Sequence, residues 1–228
     1  MKKLTLVIPA KNESESLPNV LNELRKLSLN TIVVLEKEDL MTIESIKNFE
    51  NIKIIYQKNR GYGDALIEGI NNVKTDYFSI FNADGSFVPK ELEAMYNKLE
   101  NDNIGFVFGS RYSNGGSSED DTIITLIGNK IFTLMGNVFF SLNITDILYT
   151  FVMGRTSLAK EINLLEKDFA LCVELPIKAK LNGHKIVSIP CHERPRIAGK
   201  KKVNAFKDGF LILKSMIKLF FSYKFKSK

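Results

Sequence analysis

Short apolar runs alternate with helix-period segments through the first hundred residues, and this rhythm constrains the fold more than any other feature of the chain. Leu4 to Ile8, Thr31 to Leu35, Ile52 to Tyr56 and Tyr77 to Phe81 are runs of strand length. Between the first two, Glu15 to Leu27 carries Leu17, Val20, Leu21, Leu24 and Leu27 at helical spacing. Leu40 to Phe49, Asp64 to Val73 and Lys90 to Glu100 read as further helices. Repeated βα units of this length predict an α/β fold with a mostly parallel central sheet flanked by helices on both faces. Phe106 to Ser110 reads as another strand, and Ile186 to Ile189 as a late one that ends at Pro190.

Beyond residue 110 the pattern changes. Asn114 to Asp121 is a polar loop rich in Gly and Ser. Ile123 to Ile144 is mostly apolar and has the length of a bilayer span, but Asn129, Lys130, Asn137 and Asn143 interrupt it. Such groups are costly in a bilayer, so one or two amphipathic helices are expected there. Ala205 to Ser222 projects Phe206, Phe210, Leu213, Ile217, Phe220 and Phe221 onto one arc, with Lys207, Lys214 and Lys218 beside it. This predicts a main domain over 1–204 and a basic amphipathic helix and tail over 205–228. The helix either packs on its own domain or lies on an anionic membrane surface, with Lys224, Lys226 and Lys228 adding attraction.

Charge and cysteine usage exclude several classes. Nine lysines and a single acid, Asp208, fall between Lys200 and Lys228, while the whole chain carries only +6. The basic character therefore belongs to the tail and does not form the spread basic-aromatic groove of a nucleic-acid binder. Cys172 and Cys191 cannot build a disulfide framework, and no Cys/His spacing suits zinc, which leaves a reducing cytoplasm as the expectation. The apolar run before Pro9 is too short for a signal-peptide core.

Three segments carry candidate chemistry. Asn82-Ala83-Asp84 follows the fourth strand run, where an open α/β sheet binds its ligand. A paired Asp-x-Asp there would hold a divalent cation against a nucleotide diphosphate; here the first acid is an amide. Pro9-Ala10-Lys11-Asn12-Glu13 places backbone and carboxylate groups at the end of the first strand, with a capped helix start as the plainer reading. Gly61 and Gly63 precede a helix, permit close backbone approach to a ligand and leave N–H groups free, though no Lys-Ser/Thr pair makes this a Walker loop.

In order and spacing, Pro9-Ala-x-Asn-Glu13, Glu36 at the end of the second strand, Asn59-x-Gly-x-Gly-x-Ala65, Asn82-Ala-Asp84 and Gly109-Ser-Arg111 resemble the family 2 glycosyltransferases. Within that family the resemblance is nearest to the dolichyl- and polyprenyl-phosphate sugar transferases, and it covers about residues 4 to 210. It implies a GT-A fold, a nucleotide-diphospho-sugar donor, Mg²⁺ or Mn²⁺, and inversion at the anomeric carbon. By position it implies that Pro9, Asn12, Glu13, Glu36, Gly61, Gly63, Asn82, Ala83 and Asp84 form the donor site. Asp84 would be the main metal ligand, with Asn82 and Ser86 beside it. Arg111, Arg194, Arg196 and Lys202 would hold the diphosphate or an acceptor phosphate, cations suited to phosphoryl oxygens.

The chain departs from the family pattern at Glu36, where Asp is usual, at Ser86, where Gln is common, and at Lys201, where Ser is usual. Thr150 and Val152 replace a Gly and a base. A lipid-phosphate acceptor brings its own anionic oxygen, whereas a glycan hydroxyl needs a base, for which Glu174 or Asp146 is the candidate. His192 is a candidate lining residue and His184 a surface one. The expected setting is the cytoplasmic side of the cell membrane, attached peripherally, in cell-envelope synthesis. Two other readings stay open on the residues: a nucleotidyltransferase, and a non-catalytic nucleotide-sugar-binding or scaffold homologue, the latter supported by the lost first acid.

Overall fold

In chain order the elements are β1 (Leu4–Pro9), α1 (Leu17–Arg25), β2 (Asn30–Leu35), α2 (Leu40–Ile46), β3 (Ile52–Tyr56), α3 (Tyr62–Asn72), β4 (Tyr77–Ile80), α4 (Glu91–Asn101) and β5 (Phe106–Ser110). Then come β6 (Ser117–Ser118), α5 (Ile123–Phe140), β7 (Val152–Arg155), α6 (Thr156–Glu161), α7 (Leu171–Leu181), β8 (Ile186–Pro190), β9 (His192–Glu193) and α8 (Ala205–Lys226). The computed structural model describes residues 1–101, 103–199 and 201–226, with side chains placed up to residue 223. The basic tail residues Lys200, Lys224, Lys226 and Lys228 therefore lie outside the described side chains.

Seven strands form one sheet in the order β3-β2-β1-β4-β7-β5-β8. Every neighbouring pair is parallel except those made by β7, which runs antiparallel to both β4 and β5. The expectation of a mostly parallel sheet holds, and β7 is the element that the four-residue run Val152–Arg155 was too short to announce. The chain winds outward from β1 to β3, then returns to place β4 on the other side of β1. The carboxyl ends of β1 and β4 thus meet at a topological switch, the position where such sheets open a crevice for ligands.

The alternation of side chains along each strand divides the core between two faces. Leu4, Leu6 and Ile8 pack against Leu17, Leu21 and Leu24 of α1 and Leu92, Met95 and Leu99 of α4. On the other face Val7, Ile32 and Val34 meet Ala65, Leu66 and Ile70 of α3 and Leu171, Leu175 and Ala179 of α7. A third cluster joins Phe140 of α5, Val173 and Ile177 of α7, and Ile212 and Met216 of α8.

The apolar stretch from residue 123 forms a single helix, α5, capped by the Thr122 hydroxyl, which accepts from the Thr125 N–H. Its interrupting asparagines have structural partners. Asn137 donates to the Ile144 carbonyl (2.9 Å) and accepts from the Ile144 N–H (3.1 Å). Asn129 is 1% exposed and donates to Asp146. These bonds hold the returning 141–148 segment along the helix, so α5 is joined to the domain between Asn129 and Asn137.

Candidate active site

The carboxyl ends of β1, β2, β4 and β5 open into a cleft of about 530 Å³. Pro9, Asn12 and Glu13 line it from the β1–α1 loop, Glu36 from β2, and Asn82, Ala83, Asp84 and Ser86 from the turn after β4. Gly61, Arg111, Arg196 and Lys202 complete the sequence-predicted residues brought here. A second depression of about 670 Å³ lies at the amino ends of β1 and β4, beside Lys3, Asp76 and Arg155, away from all of these groups.

The β1–α1 loop is pinned from a distance. Asn12 adopts φ 50°, a left-handed conformation that Asn tolerates. Its N–H donates to Asp39 Oδ2 (2.7 Å), while the Glu13 N–H donates to Thr42 Oγ1 (3.0 Å). Asp39 also caps α2 by accepting from the Thr42 N–H. Glu13 accepts from Ser16 Oγ (2.6 Å) and from Lys202 Nζ. Glu36 is joined to Lys11 at 2.8 Å.

At the end of β4, Asp84 Oδ1 accepts from the N–H and hydroxyl of Ser86 (3.0 and 2.7 Å). Its Oδ2 lies 3.4 Å from Arg196 Nη2. Asn82 Oδ1 accepts from the Tyr62 hydroxyl (3.5 Å), which also bonds Thr150 (2.8 Å). Burial raises the Tyr62 phenol well above its ordinary value, so it stays a neutral donor or acceptor. The Tyr62 ring stacks on Phe169 at 4.8 Å. Phe81 and Phe87, which bracket the turn, pack with Phe151, the Phe87 and Phe151 rings being 4.5 Å apart.

The donor set can be tested against a divalent cation. Asp84 supplies one carboxylate and Asn82 a neutral amide oxygen; among the described residues no group of three or more His, Cys, Asp or Glu side chains is placed to hold a metal. Magnesium is commonly held by one or two carboxylates together with substrate phosphates and water. Asp84 and Asn82 fit that role when a diphosphate supplies further oxygens.

Residues 194–199 and 201–203 form a strap along the cleft, lined by Arg196, Lys201, Lys202 and Val203. The Arg194 N–H donates to the Ser86 carbonyl and the Ile197 N–H to the Asp84 carbonyl, both at 2.8 Å, so the strap is bonded to the turn that carries Asp84. Its cations meet acids in the cleft: Arg196 lies 3.6 Å and Lys201 3.2 Å from Asp120, and Lys202 reaches Glu13. Asp120 and Lys201 were absent from the predicted site. Their signal was an acidic loop and a basic run far apart in sequence, which nothing local connects.

Four expectations are corrected by placement. Glu174 does not reach the cleft: it is 1% exposed on α7, accepts from the Leu165 and Glu166 N–H groups, and pairs with Lys178 at 2.7 Å. Asp146 is fully buried and bound by Arg111 (2.8 Å) and Asn129. Neither acid is poised as a base. Arg194 turns outward to Glu23 (3.0 Å) and the Phe87 carbonyl (2.9 Å). Gly63 does not line the cleft; a Cβ there would overlap the Glu166 carbonyl oxygen, and one on Gly61 the Lys167 carbonyl oxygen. The two glycines admit the 166–168 backbone, although Gly61 also borders the cleft. His192, for its part, bonds Ser117 Oγ (2.7 Å) and Glu119 (2.9 Å).

Arg111 does line the cleft, but three of its N–H groups are already engaged, two by Asp146 and one by Glu193. Burial opposes its charge, yet the Asp146 and Glu193 carboxylates hold its pKa above the ordinary value. Asp121 is likewise committed. Burial pushes its pKa up, but hydrogen bonds from Thr125 and Tyr112 outweigh that and leave it below the usual range, a poor position for a base.

Comparison with known proteins agrees with this geometry. The family model for glycosyl transferase family 2 matches residues 5–162. A UDP-N-acetylglucosamine–dolichyl-phosphate N-acetylglucosaminyltransferase of Methanococcus voltae is 26% identical over 215 residues, covering 83% of this chain and 84% of that protein. A dolichol-phosphate mannosyltransferase of Pyrococcus furiosus is also 26% identical over 215 residues, but the match spans 88% of this chain and only 59% of that longer protein. Among solved structures, glucosyl-3-phosphoglycerate synthase from Mycobacterium tuberculosis, in complex with Mn²⁺, UDP and phosphoglyceric acid, superposes with a TM-score of 0.73 at 13% identity, covering 96% of this chain and 78% of that one. That likeness establishes the GT-A fold. Since the family model covers most of the strands that build the cleft, the chain belongs to glycosyl transferase family 2, near its polyprenyl-phosphate sugar transferases.

Proposed function

We propose that this glycosyltransferase moves a sugar, with inversion, from a nucleoside diphosphate to the phosphate of a polyprenyl lipid. The carrying observation is the strap: Arg196 and Lys202 enter the cleft opposite Asp84 and Glu13, at the switch between β1 and β4. An acceptor phosphate oxygen attacks the anomeric carbon as the bond from that carbon to the diphosphate oxygen breaks. The bonding pair leaves with the nucleoside diphosphate. Negative charge grows on the leaving group, and fixed cations beside it lower the barrier.

Asn12, Glu13 and Glu36 would bind the nucleoside, Arg196 and Lys202 the phosphates. Asp84 and Asn82 would hold Mg²⁺ or Mn²⁺, which supplies Lewis-acid charge stabilisation when bound. The relatives' names point to a UDP- or other nucleotide-sugar donor and a dolichyl-phosphate type of acceptor. A phosphate acceptor also suits the engaged state of Glu174, Asp146 and Asp121, because an acceptor that is already anionic needs no base. The reading places the protein peripherally on the cytoplasmic face of the membrane.

The test is to incubate the protein with a panel of UDP- and GDP-sugars, a short polyprenyl phosphate and Mn²⁺, and to follow nucleoside diphosphate release and glycolipid formation. A lipid-linked sugar of inverted anomeric configuration is expected, with a loss of about 10²-fold or more in Asp84→Ala. Donor binding without transfer to any phosphate or hydroxyl acceptor would favour the non-catalytic reading, which the amide at Asn82 supports.

A further inference from the structure

The two helices that border the cleft through Thr125, Asn129 and Ile212 leave an unusual surface outside it. On α5, Ile123, Ile127, Ile131, Leu134 and Val138 are all more than half exposed. On α8, Phe206 is 84%, Phe210 68% and Ile217 48% exposed. Isolated exposed apolar residues are ordinary, whereas a continuous band across two helices marks an interaction surface.

The helices lie side by side and run the same way: Phe132 approaches Gly209, and further along Phe139 and Phe140 meet Phe220. Projection at about 100° per residue sets the exposed apolar arc of α5 opposite its buried Asn129–Thr133–Gly136–Phe140 face. In α8 the arc of Phe206, Phe210 and Ile217 falls between the side facing α5 and the outward side. The two arcs therefore adjoin. Lys130 lies on the α5 rim away from α8, and Lys207 and Lys214 on the α8 rim away from α5, together with Lys218, which is 3.6 Å from Glu166. Residues 123–140 contain no acid, and the only one in 205–223 is Asp208, buried while accepting from the Asn204 N–H.

We propose that α5 and α8 together form a platform that lies flat on an anionic lipid bilayer, the apolar band entering the headgroup boundary and the lysine rims meeting lipid phosphates. This deepens the membrane placement proposed above by assigning its surface. Charge decides between a bilayer and a second copy of this chain. Self-pairing would bring lysine-rimmed bands together with no exposed acid on either helix, whereas an anionic surface complements both rims. α5 is long and apolar enough to cross a membrane, but its Asn129 face is committed to Asp146 and the core, so the helix lies along the interface. The same two helices border the cleft through Thr125, Asn129 and Ile212. A bilayer under the platform would thus bring headgroup phosphates to the level of the cleft.

Flotation of the full chain with phosphatidylglycerol–phosphatidylcholine vesicles tests this directly and requires no donor, acceptor or turnover. Binding is expected with these vesicles and little with phosphatidylcholine alone. Ile127→Glu/Leu134→Glu and, separately, Phe206→Ser/Phe210→Ser should lower the partition by on the order of tenfold or more. Lys130→Gln/Lys207→Gln/Lys214→Gln should weaken binding and flatten its salt dependence. All these positions lie outside the cleft, so unchanged melting temperature and nucleotide binding would show that the variants are folded. Absence of flotation by the wild-type chain, or variants that float as well as it does, would overturn the platform. So would a wild-type dimer that ignores vesicles and becomes monomeric in the apolar variants. Flotation without sugar transfer would sink the proposed reaction and leave the platform standing.

Discussion

Asp84 is the residue on which the proposed chemistry converges, and its surroundings bear on what the amide at position 82 changes. One carboxylate oxygen is held by Ser86 and the other faces Arg196, while Asn82 contributes no charge beside it. Asn82→Asp should tighten Mn²⁺ binding in the presence of a nucleoside diphosphate by about tenfold, since it adds a charged ligand; equal or weaker affinity in calorimetry would count against Asn82 facing the ion. The thiols give a second check at this scale. Burial pushes the Cys172 thiol up to about 12 and raises that of Cys191 as well. At pH 8 the native chain should therefore hold on the order of 10³-fold less Cys172 thiolate than the unfolded chain. Alkylation followed by mass spectrometry should show slow native and rapid denatured labelling. The sign for stability follows. A folded pKa above the unfolded one means that the native state keeps a proton the unfolded state loses, so this contribution declines as pH rises from the unfolded thiol value toward 12. Asp84, Glu13 and Arg196 were legible because each follows a strand or sits in a motif of fixed spacing. Glu174 and Arg194 matched positions in the same way, yet their side chains turn toward Lys178 and Glu23, a choice made by neighbours remote in sequence.

At the scale of elements, α5 shows polar residues acting as attachment points. Asn137 satisfies both main-chain groups of Ile144, so Asn137→Ala leaves two polar groups without these partners and should cost about 1–3 kcal/mol. Thermal or denaturant unfolding measures this, with Asn137→Asp as a control that keeps an acceptor for the Ile144 N–H. The first five strands were readable because each is a compact apolar run punctuated by a helix-period segment. β7 was not. Its four residues gain strand character from pairing with β4 and β5, which already exist as a template. The projected apolar arc of α8 was also correct as a pattern, but the face that packs inward is Ile212, Ser215 and Met216, and most of the predicted arc points outward. Periodicity establishes that a helix has two faces; the available core decides which one is buried.

For the whole molecule, the strap carries Lys202 of the C-terminal basic region to Glu13 in the cleft. Lys202→Ala should weaken nucleoside diphosphate binding about tenfold at low salt, and the difference should shrink as ionic strength rises. Calorimetry at two salt concentrations would test it, and a salt-independent loss would point to altered structure instead of lost charge. The sequence alone determined the βα order, the site at the strand ends and the family motifs, because apolar periodicity and motif spacing are local properties that survive without coordinates. It also determined that the basic charge lies in the tail. Only the tertiary structure decided which charged groups face one another: Arg111 with Asp146 and Glu193, Arg196 with Asp84 and Asp120, Lys202 with Glu13. It likewise decided that the apolar arcs of α5 and α8 adjoin on the outside. Those pairings join residues up to 189 positions apart, and their energy depends on distance and desolvation in the folded chain, which spacing along the sequence does not encode.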